Sequence, residues 1–214
     1  MKKKRKNKFL FCTIIGLCLL IFTHVALEAV DNTFLDDENM IEISNDLKAG
    51  NTEVALEKLD KLIEEDPEYE NALTLRAYWN VLTSQNSEQV MKDIKAISQI
   101  QENPAKIYED MTYLCYDNKK FEQAWNLVDY ALPLFSESYN LHVARGLLEM
   151  EEDNLENAIV YYKKALEIKP DYAYALIEIT DAYIEKKDYE KALAITDKMI
   201  QYNPDSHLAY HRRY

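Results

Sequence analysis

Residues 155–170 read LENAIVYYKKALEIKP, and residues 189–204 repeat the pattern as YEKALAITDKMIQYNP. An earlier copy begins at residue 121 with FEQAWNLVDYAL, so successive copies are 34 residues apart. The positions that this shift superposes are small or apolar: Ala124 with Ala158 and Ala192, Phe121 with Leu155 and Tyr189, Ala131 with Ala165 and Met199, and Leu132 with Leu166 and Ile200. Upstream, the same spacing occurs in Ala55, Leu59, Leu62 and Pro67, and a weaker copy over residues 70–104 carries Val90, Ile94, Ile97 and Pro104. Self-similarity at this period predicts a repeat architecture.

Each copy has the pattern of a helical hairpin. Ala158, Tyr162 and Ala165 follow the spacing i, i+4 and i+7, which places them on one face of a helix. Pro170 ends that helix, because proline lacks the backbone N–H that the next turn requires. A first helix is expected before it, over residues 139–151. One hairpin cannot bury its apolar stripes alone, so successive hairpins are expected to stack.

These spacings resemble the tetratricopeptide repeat family, whose consensus is W-x2-L-G-x2-Y, then A-x3-F, then P, over 34 residues. The corresponding positions are Leu176, Ile179, Thr180, Tyr183, Ala192, Thr196 and Pro204 in the last unit, and His142, Arg145, Gly146 and Glu149 in the unit before it. The resemblance implies an all-α fold, a right-handed α-solenoid of helix-turn-helix repeats. We expect about five units, over residues 37–69, 70–104, 105–138, 139–172 and 173–206, followed by a partial capping helix over residues 207–214.

Several single residues give local predictions. Gly146 falls on the glycine of the family pattern, where the absence of a side chain permits a close helix approach. Arg145 and Glu149 stand four residues apart at places that are usually apolar, and we expect an exposed ion pair between them. Pro133 comes early in its unit and should shorten its helix. Cys115 is expected to be a small buried apolar group rather than a nucleophile.

The composition argues against catalysis. The 214 residues include only three glycines, and they form no glycine-rich phosphate loop. The sequence contains no HExxH, GxSxG, CxxC or EF-hand spacing. His207 and His211 share one helical face, but two ligands are too few for a structural or catalytic zinc. We therefore expect no enzymatic activity, no cofactor and no metal site.

The amino-terminal residues carry a membrane signal. Six lysines and arginines within residues 2–8 precede residues 9–27, which are mostly apolar and contain no formal charge. As a helix this segment would be about 28 Å long, close to the hydrocarbon thickness of a bilayer. We expect a basic region and membrane anchor over residues 1–30 and a short linker over residues 31–36. The protein would then be single-pass in the cell membrane, with a cytoplasmic amino terminus and extracytoplasmic repeats, or secreted if the segment is cleaved.

The remaining residues are strongly acidic. Residues 31–214 hold 19 lysines and arginines against 37 aspartates and glutamates, a net charge of −18. Such a charge repels nucleic acid and attracts basic partners. We therefore expect no nucleic-acid binding.

The family resemblance implies that the first helix of each hairpin lines an inner, concave surface. The residues that we expect there as a partner-binding groove are Tyr78, Glu109, Tyr113, Tyr116, Leu147, Met150, Tyr174, Ile177, Asp181 and Ile184. An aromatic and aliphatic floor with acidic flanks suits a protein or peptide that carries basic and apolar side chains. The alternative is that the tyrosines, 16 in the whole chain, pack on each other or on the terminal residues 207–214.

The sequence as a whole predicts a membrane-tethered, extracytoplasmic scaffold that binds a protein or peptide partner through its concave groove. Two alternatives stay open. The chain is a non-catalytic subunit or support module of an enzyme or of a secretion or envelope assembly, or it is a structural repeat protein that assembles with itself.

Overall fold

A computed structural model describes residues 37–83, 87–205 and 207–213 of the chain. All regular structure in these ranges is α-helical, as predicted. The helices are α1 Glu38–Ala49, α2 Thr52–Glu65, α3 Glu70–Thr83, α4 Ser87–Ile100, α5 Pro104–Asp117, α6 Phe121–Ala131, α7 Tyr139–Glu151, α8 Leu155–Ile168, α9 Ala173–Glu185, α10 Tyr189–Tyr202 and α11 His207–Arg213. The predicted anchor over residues 1–30 and the linker over residues 31–36 lie outside the described residues. Every helix within the described ranges is too short or too polar to cross a bilayer.

The helices pack as successive hairpins within two compact units, whose boundary lies between Ile100 and Gln101. In the first unit α1 packs on α2, α2 on α3, and α3 on α4. In the second unit the hairpins are α5 with α6, α7 with α8, and α9 with α10, and α11 packs on α10. Helix α7 also contacts both α5 and α9, so the first helices of these three hairpins are neighbours. The stacked hairpins confirm the predicted helical-repeat fold.

The small residues that recur in the sequence lie where helices meet. Ala55, Ala124 and Ala158 are fully buried, and Ala192 is 5% exposed. Gly146 on α7 faces the ring of Tyr162 on α8, where an added Cβ would lie 2.4 Å from Cε1. The close helix approach predicted at Gly146 is therefore confirmed. Because the gap has no room for a methyl group, the glycine is a packing requirement of this hairpin.

The turn inside each hairpin of the second unit places one residue in the left-handed region. These residues are Lys119 with φ 57°, Asp153 with φ 59° and Lys187 with φ 62°, and they recur at the 34-residue period. A residue with a side chain is strained in this conformation by about 1–2 kcal/mol. In the first unit Gly50 takes the corresponding place with φ 83°, and its N–H donates to the carbonyl of Leu47 at 3.2 Å. Glycine adopts this conformation without that strain.

The ion pair between Arg145 and Glu149 exists but is buried, and the prediction of an exposed pair was wrong. Arg145 Nε donates to Glu149 Oε1 at 3.2 Å, and the Glu149 side chain is only 5% exposed. The guanidinium also pairs with Asp129 and lies 4.0 Å from the centre of the Trp125 ring. In these contacts between α6 and α7, a stacked arginine occupies the space where the family pattern has apolar side chains. The charge of Glu149 is thereby neutralised inside the interface.

Two further local predictions are confirmed. Helix α6 ends at Ala131 after 11 residues, whereas α8 and α10 each have 14, as expected from the early Pro133. Cys115 is fully buried, and burial raises the pKa of its thiol to about 12. A thiol with such a pKa is almost entirely protonated at neutral pH, so it is a packing residue and not a nucleophile.

Candidate partner-binding surface

Three of the predicted groove tyrosines come together on one face of the second unit. Tyr113 and Tyr116 belong to α5 and Tyr174 to α9, and we call the surface that carries them the tyrosine face. The ring centres of Tyr113 and Tyr174 are 6.4 Å apart with an interplanar angle of 46°. All three rings pack against the core cluster that contains Leu147 and Tyr162. The sequence brings these residues together because α5, α7 and α9 are neighbours.

Hydrogen bonds fix the Tyr113 end of this face. Tyr113 Oη donates to the carbonyl oxygen of Asn140 at 3.0 Å, and Tyr172 Oη donates to Asn140 Oδ1 at 2.8 Å. Asn140 Nδ2 in turn donates to Glu109 Oε2 at 2.8 Å, while Ser138 Oγ donates to Glu109 Oε1 at 2.6 Å. Burial raises the pKa of Tyr113 well above its usual value. These polar groups are satisfied within the unit, so they hold the face in place rather than offer sites to a partner.

The ten predicted groove residues differ in how far they are buried. Glu109 is 7% exposed and Leu147 4% exposed, so neither presents a side chain to a partner. Ile184 is 38% exposed. The half-buried members are Tyr78, Tyr113, Tyr116, Met150, Tyr174, Ile177 and Asp181. Tyr78 lies on α3 in the first unit and is described separately from the others. The groove as a contact set for a partner stays a prediction.

Carboxylates surround the aromatic rings of the tyrosine face. Tyr116 Oη donates to Glu151 Oε1 at 3.0 Å. Glu178 is half-buried on α9, and burial, followed by the charge of Asp181, raises the pKa of its carboxyl. Burial and then Glu178 raise the pKa of Tyr174 to about 12. Aromatic faces and carboxylates are both groups that attract cations.

The carboxylate of Asp181 is already paired with a cation of the same chain. Arg212 on α11 donates to it twice, from Nε at 2.8 Å and from Nη2 at 2.7 Å. The alternative prediction was that the groove tyrosines pack on each other or on residues 207–214. The structure contains contacts of both kinds among the groove residues, since Tyr113 contacts Tyr174 and Asp181 contacts Arg212.

Sequence reasoning did not single out several residues that shape this surface. Tyr139 and Tyr172 meet edge to face with ring centres 4.7 Å apart, and Lys169 Nζ lies 4.7 Å from the centre of the Tyr139 ring. Glu178 and Arg212 were also missed. A signal for the tyrosines was present, since Tyr139 and Tyr172 stand at the starts of consecutive first helices. Glu178 could have been found from its position four residues after Tyr174.

Among the cavities that open on the second unit, two adjoin residues described above. The larger, of about 640 Å³, lies between the amino-terminal ends of α5 and α7, and its lining includes Lys106, Glu109, Phe135 and Tyr139. The smaller, of about 400 Å³, is lined by Phe121, Glu122, Trp125, Asn126, Glu151 and Glu152. The smaller cavity adjoins the tyrosine face through Glu151, the acceptor of Tyr116. Its aromatic and acidic lining extends the chemistry of the face.

The described residues contain no group of three or more histidine, cysteine, aspartate or glutamate side chains placed to hold a metal ion.

Comparison with known proteins gives matches over part of the chain. Residues 149–212 match the family model of the tetratricopeptide repeat. The chain is 32% identical over 74 residues to the uncharacterized protein ycf37 of Pyropia yezoensis. It is 30% identical over 99 residues to the chloroplastic tetratricopeptide repeat domain-containing protein PYG7 of Arabidopsis thaliana. These alignments cover 35% and 45% of this chain, but only 42% of ycf37 and 31% of PYG7. The chain thus spans less than half the length of the curated relatives that it matches.

Among solved structures the chain is similar to YrrB, described as a tetratricopeptide repeat protein with an unusual peptide-binding site. The TM-score is 0.54 at 19% sequence identity, and the match covers 86% of this chain and 97% of YrrB. At this identity the likeness concerns the fold.

Proposed function

We propose that this chain is a tetratricopeptide repeat protein and that it is a binding scaffold whose tyrosine face holds a protein or peptide segment with basic and apolar side chains. The observation that carries the proposal is the composition of this face. Half-buried tyrosine rings from α5 and α9 lie beside the carboxylates of Glu151 and Glu178. Large aromatic side chains and acidic neighbours are typical of surfaces that bind cationic segments.

The net charge of the chain supports the same class of partner. Residues 31–214 carry a net charge of −18, which accelerates the approach of a basic segment. At physiological salt the screening length is about 8 Å, so long-range attraction affects the association rate more than the final affinity. The aromatic contacts and local ion pairs would then supply most of the affinity. YrrB, which is similar in fold and is described as having an unusual peptide-binding site, is consistent with this use of the architecture.

The cellular location is part of the proposal. The basic residues 2–8 followed by the apolar residues 9–27 favour a membrane tether, with the repeats outside the cytoplasm. A partner in an enzyme, secretion or envelope assembly, or a second copy of this chain, is a particular case of the same binding function. Size-exclusion chromatography with light scattering distinguishes the last case, because self-assembly gives a mass that rises with concentration.

Site-specific photo-crosslinking in intact membranes tests the proposal. A benzoylphenylalanine residue replaces Ile184, which is 38% exposed beside the tyrosine face, and a matched control replaces Val160 on α8, which is 48% exposed. We expect covalent adducts of defined mass from position 184, with a yield that falls at high salt, and none of the same mass from position 160. Equal adducts at the two positions, or adducts at position 160 alone, would contradict the proposed face.

A further inference from the structure

The smaller cavity of the second unit combines aromatic rings with carboxylates. It has a volume of about 400 Å³, and its lining comes from the first turns of α6 and the end of α7: Phe121, Glu122, Trp125, Asn126, Glu151 and Glu152. These lining residues, all in the described part of the chain, include three carboxylates and neither lysine nor arginine. A ligand that brings a positive charge would therefore be electrostatically complementary to the cavity.

The ends of two helices place these groups together. Phe121 and Trp125 stand four residues apart on α6, so their side chains lie on one side of that helix. Glu151 is the last residue of α7 and Glu152 is its C-cap, and both are exposed. The carboxyl end of a helix carries a partial negative charge of its own, which adds to the charge of these two side chains.

Tyr116 connects the cavity to the tyrosine face. Its ring centre lies 5.7 Å from that of Phe121, and its hydroxyl donates to Glu151 Oε1 at 3.0 Å. One aromatic ring thus contacts both an aromatic and an acidic member of the lining. A segment that lies along the tyrosine face would therefore have the mouth of this cavity within reach of a long side chain.

Arg145 shows which cation suits such a lining. Its Cζ lies 4.0 Å from the centre of the Trp125 ring, and its guanidinium pairs with both Glu149 and Asp129. The planar guanidinium stacks on aromatic rings and donates to carboxylates in the same pose, whereas the ammonium of lysine is a compact and strongly hydrated charge. Because two carboxylates compensate the charge of Arg145, it does not prevent a second cation from binding beside Trp125.

We propose that this cavity is a subsite for the guanidinium group of an arginine in the partner segment. The inference rests on the proposed function, and it adds the side chain that the partner inserts and the place that receives it. The guanidinium lies against the aromatic lining of Phe121 and Trp125 and donates to the carboxylates of Glu122, Glu151 and Glu152. The combination of ring and carboxylates that holds Arg145 is thereby repeated for a side chain of the partner.

Fluorescence anisotropy with defined peptides tests this subsite in the full-length chain held in detergent micelles. The probe is Ala-Leu-Arg-Leu-Ala-amide with an uncharged BODIPY dye on its amino terminus, and two companions carry lysine or the neutral analogue citrulline in place of arginine. The cavity variant combines Glu122→Gln with Glu152→Gln. The matched control combines Glu167→Gln with Glu190→Gln, which removes the same total charge from exposed positions on α8 and α10.

We expect the arginine peptide to bind about fivefold more weakly to the cavity variant, because two exposed ion pairs are lost. The control variant should bind it as the unchanged protein does, since the net charge of the two variants is equal. The lysine peptide should bind the unchanged protein about threefold more weakly than the arginine peptide. The citrulline peptide should bind more weakly still and should not distinguish the two variants.

The fluorescence of Trp125 locates the bound peptide independently. Trp79, the other tryptophan of the chain, is replaced by phenylalanine, which keeps an aromatic side chain in the core of the first unit. Its indole nitrogen has no hydrogen-bond partner among the described residues, so this replacement breaks no hydrogen bond of that atom. The unlabelled arginine peptide should shield Trp125 from quenching by acrylamide, and the citrulline peptide should not.

The unfavourable outcomes are distinguishable. Equal weakening by the two double variants, or unaltered quenching of Trp125 by acrylamide when the arginine peptide is bound, would overturn the cavity as the subsite and leave the proposed function standing. Equal or tighter binding of the lysine or citrulline peptide would overturn the choice of a guanidinium. No anisotropy change with any of the three peptides would overturn both the subsite and the binding of basic segments by the tyrosine face.

Discussion

Replacing Gly146 by alanine tests the packing of the hairpin that supports the tyrosine face. The added Cβ would lie 2.4 Å from Cε1, 2.6 Å from Cδ1 and 2.9 Å from Cζ of Tyr162. Favourable contacts between carbon atoms are about 3.5–4.0 Å long, so the new methyl group is too close by about 1 Å. Tyr162 is fully buried and cannot swing away. Helices α7 and α8 must therefore move apart to admit the methyl group.

The magnitude follows from two opposing effects. Overpacking a core by one methyl group costs about 1–3 kcal/mol, and three contacts below 3.0 Å favour the upper half of that range. Alanine is the better helix former by about 0.8–1.0 kcal/mol. We expect a net loss of about 1–2 kcal/mol in the free energy of unfolding. For a protein of this size the melting temperature should fall by about 2–8 °C.

Circular dichroism at increasing temperature measures the effect, and a second background makes the test specific. In Tyr162→Leu the ring is absent, so the steric cost should vanish and Gly146→Ala should stabilise the protein by up to about 1 kcal/mol through helix propensity. A melting temperature that rises on Gly146→Ala in the unchanged background would show that the methyl group fits between α7 and α8. The same loss in both backgrounds would show that Tyr162 is not the cause.

Four further predictions concern other parts of the second unit. Lys187→Gly removes the strain of a left-handed residue with a side chain, and thermal melting should show a gain of about 0.5–1 kcal/mol; a loss would contradict the turn geometry. Arg145→Leu leaves Glu149 buried without its cation and should destabilise by about 3 kcal/mol, whereas Arg145→Leu with Glu149→Tyr should recover most of the melting temperature. Glu178→Gln should raise the melting temperature at neutral pH. A carboxyl whose pKa is raised in the folded protein favours folding below its ordinary pKa of 4.5, and it loses that contribution as the pH rises through the pKa of the folded state. The increase in melting temperature should therefore disappear in acid, and a lower melting temperature at neutral pH would contradict the prediction. Cys115, with its pKa raised to about 12 by burial, should resist N-ethylmaleimide until the protein unfolds, and labelling of its tryptic peptide in the folded state would show otherwise.

Most of the fold could be predicted because the repeat is visible as a regular recurrence of small side chains. Alanines at a 34-residue period can recur only where helices approach closely, and the burial of Ala124 and Ala158 follows from that. The helix over residues 139–151 was predicted with its observed bounds, because the repeat fixes its place before the helix that ends near Pro170. The left-handed residues Lys119 and Lys187 could not be predicted from residue type, since lysine has no preference for that conformation.

The candidate site was predicted less completely, for a physical reason. The spacing of a first helix tells which residues share a face, and it grouped Tyr113 with Tyr116 correctly. It does not tell how deeply a neighbouring helix covers them, so Glu109 was predicted as a contact although Ser138 and Asn140 enclose it. Hydrogen bonds and ion pairs between helices that are distant in the sequence depend on the length and conformation of each side chain, which the spacing does not reveal.

The depth of the polar network around Arg145 was also beyond sequence reasoning. The spacing of Arg145 and Glu149 correctly indicated a pair, but an exposed and a buried pair share the same spacing. The difference lies in Trp125 on the neighbouring hairpin, whose ring covers the guanidinium. Such a contact between non-adjacent sequence segments becomes visible only in the folded unit.

The proposed function requires that a basic partner segment binds on the tyrosine face. Methyl-group nuclear magnetic resonance tests it most directly, with the crosslinked partner segment added as a synthetic peptide to the full-length chain. We expect chemical-shift changes at Met150, Ile177 and Ile184, with none at the exposed Val160 and Leu193 on the second helices. Changes confined to Val160 and Leu193, with Met150, Ile177 and Ile184 unaltered, would contradict it.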